Sequence, residues 1–315
     1  MVLRRTALSC LPAVVAGLAT PADLLALPAA GWRARWQGGR PMLDIQTGSG
    51  NTVRALVASA SGLWGVEALG ARLGAQRSTG ARMAAPRSAW PAVAGQSGLP
   101  APLGGSQPPS LTYMAVGLAE QAWLDGAELV LGAPWLAGRC WTLDARDGTF
   151  ALGTPPAAGK AATWALAMHR ESGLATTDVQ VAGEPLILLF DTAAAAFATP
   201  AAQRAAAARS GGAALPVSVG QISESIAARW RSAHPDWPWL DAADRHTQGA
   251  WIQVPAVQMA GLSSGPVWFS VTPERTLQDL SAQVGRPVAG RLPMAALGGW
   301  RVTLDMANAR LHLAA

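Results

Sequence analysis

The chain has 315 residues, enough for one large domain or two lobes, and is 50% hydrophobic and only 14% charged, which excludes a disordered chain. Its net charge of +5 comes from scattered arginines, with Lys160 the only lysine, so the clustered basic footprint of a nucleic-acid binder is missing. Abundant glycine (34) and proline (23), with few long helical patterns, favour a loop-rich, mainly β protein.

In chain order, Arg4 and Arg5 precede an apolar stretch from Ala7 to Ala19, with small residues at Gly17 and Ala19 and again at Ala29 and Ala30. This pattern predicts a secretory signal peptide over residues 1–30, and with it an exported protein, periplasmic or secreted. Pro12 and Pro21 argue against a buried N-terminal helix instead. Removal of residues 1–30 leaves Cys140 as the only cysteine, so no internal disulfide is expected. No later segment reaches 18 uninterrupted apolar residues, so no membrane span is expected after the signal.

Met42–Gly48 and Val53–Val57 read as a hairpin that leads into Ala58-Ser59-Ala60-Ser61-Gly62-Leu63-Trp64. Residues 72–109, rich in Gly, Ser, Pro and Arg, read as a long loop. Thr142-Leu143-Asp144, the tight turn Asp147-Gly148 and the strand up to Leu152 make a second hairpin. Thr177–Gly183 and Pro185–Phe190 form another strand pair. Its second member is a wholly apolar run, read as a strand buried on both faces, that ends on Asp191. A carboxylate at the end of such a strand needs a partner, because losing its hydration is costly. Ala193–Ala208 reads as carrying a short helix. Trp230, Trp237, Trp239 and Trp251 cluster further on, where they either line a cleft for peptide or glycan or, the favoured reading, pack as a lid on the body. The four histidines show no metal-ligand spacing, so no metal and no cofactor is expected, and His312 reads as a surface residue of the last strand.

The chain contains itself twice. Leu131–Leu152 aligns without a gap on Leu292–Leu313, at an offset of 161 residues (Asp305 against Asp144), and includes Thr-Leu-Asp in both copies. Upstream, the strand pair leading to Asp191 repeats the one leading to Ala58 at an offset of 133, so the second half is 28 residues longer between its landmarks. The tryptophan cluster is expected to fall within that extra length.

The order of these landmarks is strand pair, Asp-Thr-small turn, variable stretch, hydrophobic-Leu-Gly element and Leu-Asp hairpin. It resembles one lobe of the pepsin and retropepsin families of aspartic peptidases, and two such lobes in one chain resemble the bilobal pepsin plan. The resemblance covers about residues 41–314. It implies an all-β fold of two related antiparallel β lobes, 41–152 and 163–314, with a cleft and both catalytic turns at their junction.

Aspartic peptidases need two carboxylates about 3 Å apart that share one proton, so that one stays an acid while the other activates water. The resemblance implies that Asp191 is the second-lobe carboxylate and that Thr192 braces the two turns, with Ala193 in place of the usual Gly. In the first lobe Ala58 stands at the aspartate position, Ser59 at the Thr or Ser position and Ala60 at the Gly position, while Ser61, Gly62, Leu63 and Trp64 keep the family pattern. An alanine can neither share a proton nor position water. Asp44 lies at the wrong spacing to substitute, and Glu67 follows the turn too far on. Where the first half has Val130-Leu131-Gly132 the second has Arg291-Leu292-Pro293, which implies a reshaped loop. The expectation is a pseudo-protease whose inter-lobe cleft binds a peptide or protein partner of the cell envelope, with Ser59, Trp64, Trp237 and Trp239 as candidate binding residues. The alternatives are an active acid peptidase that uses Asp191 in a dimer or with an unforeseen second acid, and a structural envelope protein.

Overall fold

The computed structural model describes residues 31–46, 51–73, 76–77, 83–84, 111–157, 159–210 and 216–315; the expected signal segment and most of the loop 72–109 lie outside them. The first half runs β1 (Gly31–Gln37), β2 (Arg40–Gln46), β3 (Thr52–Ala58), β4 (Trp64–Val66), α1 (Glu67–Arg72), β5 (Gln76–Arg77), β6 (Met83–Ala84), β7 (Thr112–Met114), α2 (Leu118–Leu124), β8 (Leu129–Gly132), α3 (Ala133–Leu136), β9 (Cys140–Asp144) and β10 (Thr149–Leu152). The second half opens with β11 (Ala162–Ala165), β12 (Ala167–Met168), β13 (Ala175–Val181), β14 (Glu184–Asp191), α4 (Pro200–Ser210), β15 (Gly220–Ser223) and α5 (Glu224–Ala233). It continues with β16 (Trp239–Leu240), β17 (Trp251–Val254), β18 (Val257–Met259), β19 (Leu262–Ser264), β20 (Val267–Thr272), α6 (Glu274–Val284), β21 (Gly290–Pro293), a 3-10 turn over Met294–Leu297, β22 (Arg301–Asp305) and β23 (Arg310–Ala314).

The two halves share one topology. In the first, β3 runs parallel to β8, with Ala58 opposite Gly132, and β8 is flanked on its other side by antiparallel β4. In the second, β14 runs parallel to β21, with Asp191 opposite Pro293, and β21 is flanked by antiparallel β15. The register therefore places Ala58 and Asp191 at equivalent points, as the repeat in the sequence requires. Pro293 does not end the strand pairing that Gly132 supports. The glycine itself is dictated by space, since a Cβ at Gly132 would lie 2.0 Å from the Gly62 carbonyl oxygen and 2.1 Å from that of Ser61.

Pairing also locates the extra length of the second half. Asp191 to Gln221 is 30 residues where Ala58 to Trp64 is 6, whereas Gln221 to Arg291 is 70 where Trp64 to Val130 is 66. The insertion therefore carries α4, not the tryptophans. This corrects the expectation for the tryptophan cluster: Trp239 and Trp251 lie on β16 and β17, which bear the same relation to β15 and β20 as β5 and β6 do to β4 and β7.

The halves are joined by a continuous sheet in the order β11-β23-β22-β9-β10-β1. At its centre β9 and β22 pair antiparallel with Thr142 opposite Thr303, and their hydroxyls meet at 3.1 Å. These two threonines are equivalent in the repeat, so a local two-fold axis passes between them. Below the first half of this sheet Trp135, Trp141 and Phe150 stack, with ring centroids 4.2 and 5.2 Å apart along the series. Their counterparts Ala296, Val302 and Leu311 are aliphatic and equally buried, so the two cores are filled differently on one backbone plan. His312, expected at the surface, is buried, because β11 covers β23 and Thr163 Oγ1 bonds His312 Nδ1 at 3.0 Å.

The seam is also held by charge. Asp144 is buried, and its carboxylate accepts from Arg301 Nε across the strand pair at 2.8 Å and from the N–H groups of Arg146 and Asp147 at 3.0 and 3.3 Å. Burial alone would raise its pKa, but the bonds from Arg301 and the two backbone amides outweigh it and hold the carboxyl below its ordinary range. Such a group stabilises the fold above the ordinary carboxylate range and loses that contribution as the pH falls through its own depressed pKa. Asp144→Asn is therefore expected to cost about 1–2 kcal/mol near pH 7, with a difference that shrinks below about pH 4, as read from denaturant melts at stepped pH.

Candidate functional site

Two equivalent turns meet at the junction of the lobes. After β3, Ser61 N–H bonds the Ala58 carbonyl at 3.0 Å; after β14, Ala194 N–H bonds the Asp191 carbonyl at 3.2 Å. The second residue of each turn is a buried hydroxyl that reaches into the other lobe. Thr192 Oγ1 accepts from Ser59 N–H at 3.0 Å and donates to the Val57 carbonyl at 2.7 Å. Reciprocally, Ser59 Oγ accepts from Thr192 N–H at 3.1 Å and donates to the Phe190 carbonyl at 3.0 Å. All four backbone groups are satisfied away from water, so the brace fixes the relative placement of positions 58 and 191.

The third residues exchange lobes as well. Ala193 packs into an apolar cluster of the first lobe with Met42, Leu56, Ala58 and Val130. Ala60 packs against the second-lobe cluster of Leu189, Leu277 and Leu280, with Ala133. Methyl groups at 60 and 193 thus fill space across the junction.

Asp191 sits at the end of β14, 5% exposed, with both carboxylate oxygens engaged. Oδ1 accepts from Ala193 N–H at 2.9 Å, and Oδ2 accepts from Arg291 Nη1 at 2.7 Å in a direct ion pair. Arg291 comes from β21 at the place that Val130 occupies in the first lobe. Ala58, buried and apolar, faces the same recess of about 340 Å³, whose floor also includes Trp123 and Gln221.

A second arginine backs the recess. Arg40 opens β2, and the pairing of Met42 with Leu56 puts it next to the end of β3 that carries Ala58. It is fully buried, donates from Nη1 to the Trp123 carbonyl at 2.6 Å, and pairs through Nη2 with Asp125 at 3.3 Å. Burial pushes its pKa down to about 10, against the opposing pull of Asp125 and Asp191, so it remains a cation at neutral pH. The other acids considered from sequence are engaged elsewhere. Asp44 pairs with Arg35 and Arg54 at 2.8 and 3.2 Å, and Glu67 opens α1 outside the residues lining the recess.

Of the residues singled out in the sequence, the structure thus brings together Ala58, Ser59, Asp191 and Thr192. Trp64 lies behind the floor, with its Nε1 donating to Ser61 Oγ at 3.2 Å and its ring stacked on Trp123 at 6.4 Å. Trp237 and Trp239 do not line the recess: Trp237 stacks on His234 at 4.2 Å, and Trp239 carries Arg231 over its face at 4.4 Å. Two lining residues, Trp123 and Arg291, and the buried Arg40 behind them have no site role in the sequence reading. For Arg291 a signal existed, namely an arginine in the repeat where its counterpart is valine. Among the described residues no group of three or more His, Cys, Asp or Glu side chains is placed to hold a metal ion.

The topology and the paired turns define an all-β, bilobal, pepsin-like fold. Comparison with solved structures finds similar folds in an aspartic proteinase from Irpex lacteus (TM-score 0.46, 11% identity, covering 91% of this chain and 97% of that one). Basic 7S globulin from soybean (TM-score 0.45, 10% identity, 91% and 97%) and conglutin gamma, a basic 7S globulin from lupine seeds (0.45, 10%, 90% and 93%), are also similar. No protein-family model matches the sequence, and no curated protein matches it.

The brace has a measurable consequence. Thr192→Val leaves the Ser59 N–H and the Val57 carbonyl buried without partners and is expected to cost about 2–4 kcal/mol in a denaturant melt. In a double-mutant cycle with Ser59→Ala the two losses should fall short of additive by about 1 kcal/mol or more, because each hydroxyl serves the other's backbone.

Proposed function

We propose that this protein is an exported pseudo-protease, with lobes at about 41–152 and 163–314, whose inter-lobe cleft holds a peptide or protein segment without cleaving it. The observation that carries the reading is the environment of Asp191: a methyl group stands where the partner acid would be, and a guanidinium has taken the partner's role. A carboxylate paired with a guanidinium, with no second acid beside it, lacks the shared proton on which aspartic-peptidase chemistry depends. The binding half of the reading rests on what the recess offers. Arg291 supplies N–H donors, Asp191 an acceptor, and Ser61 and Gln221 groups of both kinds, a set that matches the alternating N–H and C=O groups of an extended chain. Trp123 adds an aromatic wall. Among the described residues no helix is long and apolar enough to cross a membrane. The export reading rests on the N-terminal sequence pattern.

Incubation with a pooled peptide library at stepped pH between about 3 and 7, followed by mass spectrometry, is expected to give no cleavage above that of Asp191→Asn. Peptides enriched by display against the protein should be recovered intact and should bind at least about 5-fold more weakly to Trp123→Ala. Cleavage by the native protein that Asp191→Asn abolishes would contradict the reading.

A further inference from the structure

If the protein is a pseudo-protease, Ala58 alone accounts for the loss of the dyad, and restoring an acid there would be the obvious repair. The charges around the recess argue otherwise. We infer that Arg291 is a second, independent lock on the site: it holds Asp191 in an ion pair, so that an acid restored at position 58 would join that pair instead of forming a proton-sharing dyad.

Three observations carry this. First, Arg291 Nη1 is 2.7 Å from Asp191 Oδ2, the carboxylate oxygen left free by the Ala193 amide. Second, Ala58 and Arg291 line the same recess, into which a longer acidic side chain at position 58 would extend. Third, Arg40 is a buried cation on the strand next to β3. A carboxylate grafted at position 58 therefore enters a site that already holds the Asp191–Arg291 pair, with the Arg40–Asp125 pair behind it. There the Arg291 guanidinium offsets the repulsion between the two carboxylates. Without Arg291 the balance reverses, and two neighbouring carboxylates must take up a proton to coexist. At the position equivalent to Arg291 the first lobe carries Val130, packed in the apolar cluster with Ala58, so valine is the replacement that the repeat itself supplies. Arg40 is bound to the Trp123 carbonyl and to Asp125, so it is part of the first lobe's framework, whereas Arg291 spends its charge on Asp191.

The test compares Ala58→Asp with Ala58→Asp/Arg291→Val in two independent measurements. In peptide hydrolysis at pH 3–5 the double variant is expected to exceed the single one by about 100-fold or more, the range a working general acid and base supplies. In thermal melts at stepped pH, the double variant should lose stability relative to the single one as the pH rises from about 4 to 7. That is the sign for a pair that must hold a proton in the fold, whose pKa lies above its unfolded value. Comparable hydrolysis that is measurable in both variants would overturn the proposal. So would parallel melting profiles, and these can be read even if Ala60 and Ala193 keep the double variant inactive. Failure of the pseudo-protease reading would show separately, as cleavage by the native protein itself.

Discussion

The reciprocal brace between Ser59 and Thr192 is the constraint on which the rest of the junction depends. Each hydroxyl accepts from the other turn's amide and donates to a carbonyl of the strand that leads into it. Both side chains are buried, so water cannot replace any of these partners. The brace holds the two strand ends together whatever residue precedes it, which is why turns that begin on Ala58 and on Asp191 take equivalent positions. Ala58 faces the recess because Ser59 is fixed, and Asp191 faces the same recess because Thr192 is.

Given that frame, electrostatics explains how one carboxylate is tolerated there. A nearly buried anion with no counter-charge is costly, and the neighbouring methyl of Ala58 gives it none. Arg291 resolves the conflict with a short, charge-assisted bond, and the Ala193 amide satisfies the other oxygen. The pair lies at the junction of the two halves, beside the brace. The same two bonds leave neither carboxylate oxygen of Asp191 without a partner.

Much of the architecture was legible because the chain carries its own comparison. The gapless match of Leu131–Leu152 on Leu292–Leu313 corresponds to strands that meet at a two-fold axis between Thr142 and Thr303. The alignment of Ala58 with Asp191 became a structural register. Pairwise chemistry was not legible. Arg291 was visible as a departure from Val130, but a side chain that reaches from one strand to the end of its neighbour cannot be inferred from a one-dimensional pattern. Arg40 carried no signal, since its burial depends on α2 folding over the start of β2. His312 was misjudged because β11, a short strand after the linker, supplies the cover that alternation within β23 does not reveal. The tryptophans are conspicuous in the sequence, whereas the inserted residues, rich in alanine around α4, are not, so the pattern alone does not locate the extra length.

The central claim is that the partner of Asp191 is a guanidinium of its own lobe and not a second acid. A crystal structure of the full chain near pH 5, with position 58 native, tests it most directly. The account predicts Arg291 Nη1 within hydrogen-bonding distance of Asp191 Oδ2, and Ala58 facing that pair across a braced junction. A second carboxyl beside Asp191, from elsewhere in the chain or from another copy of it, with Arg291 turned away, would contradict it.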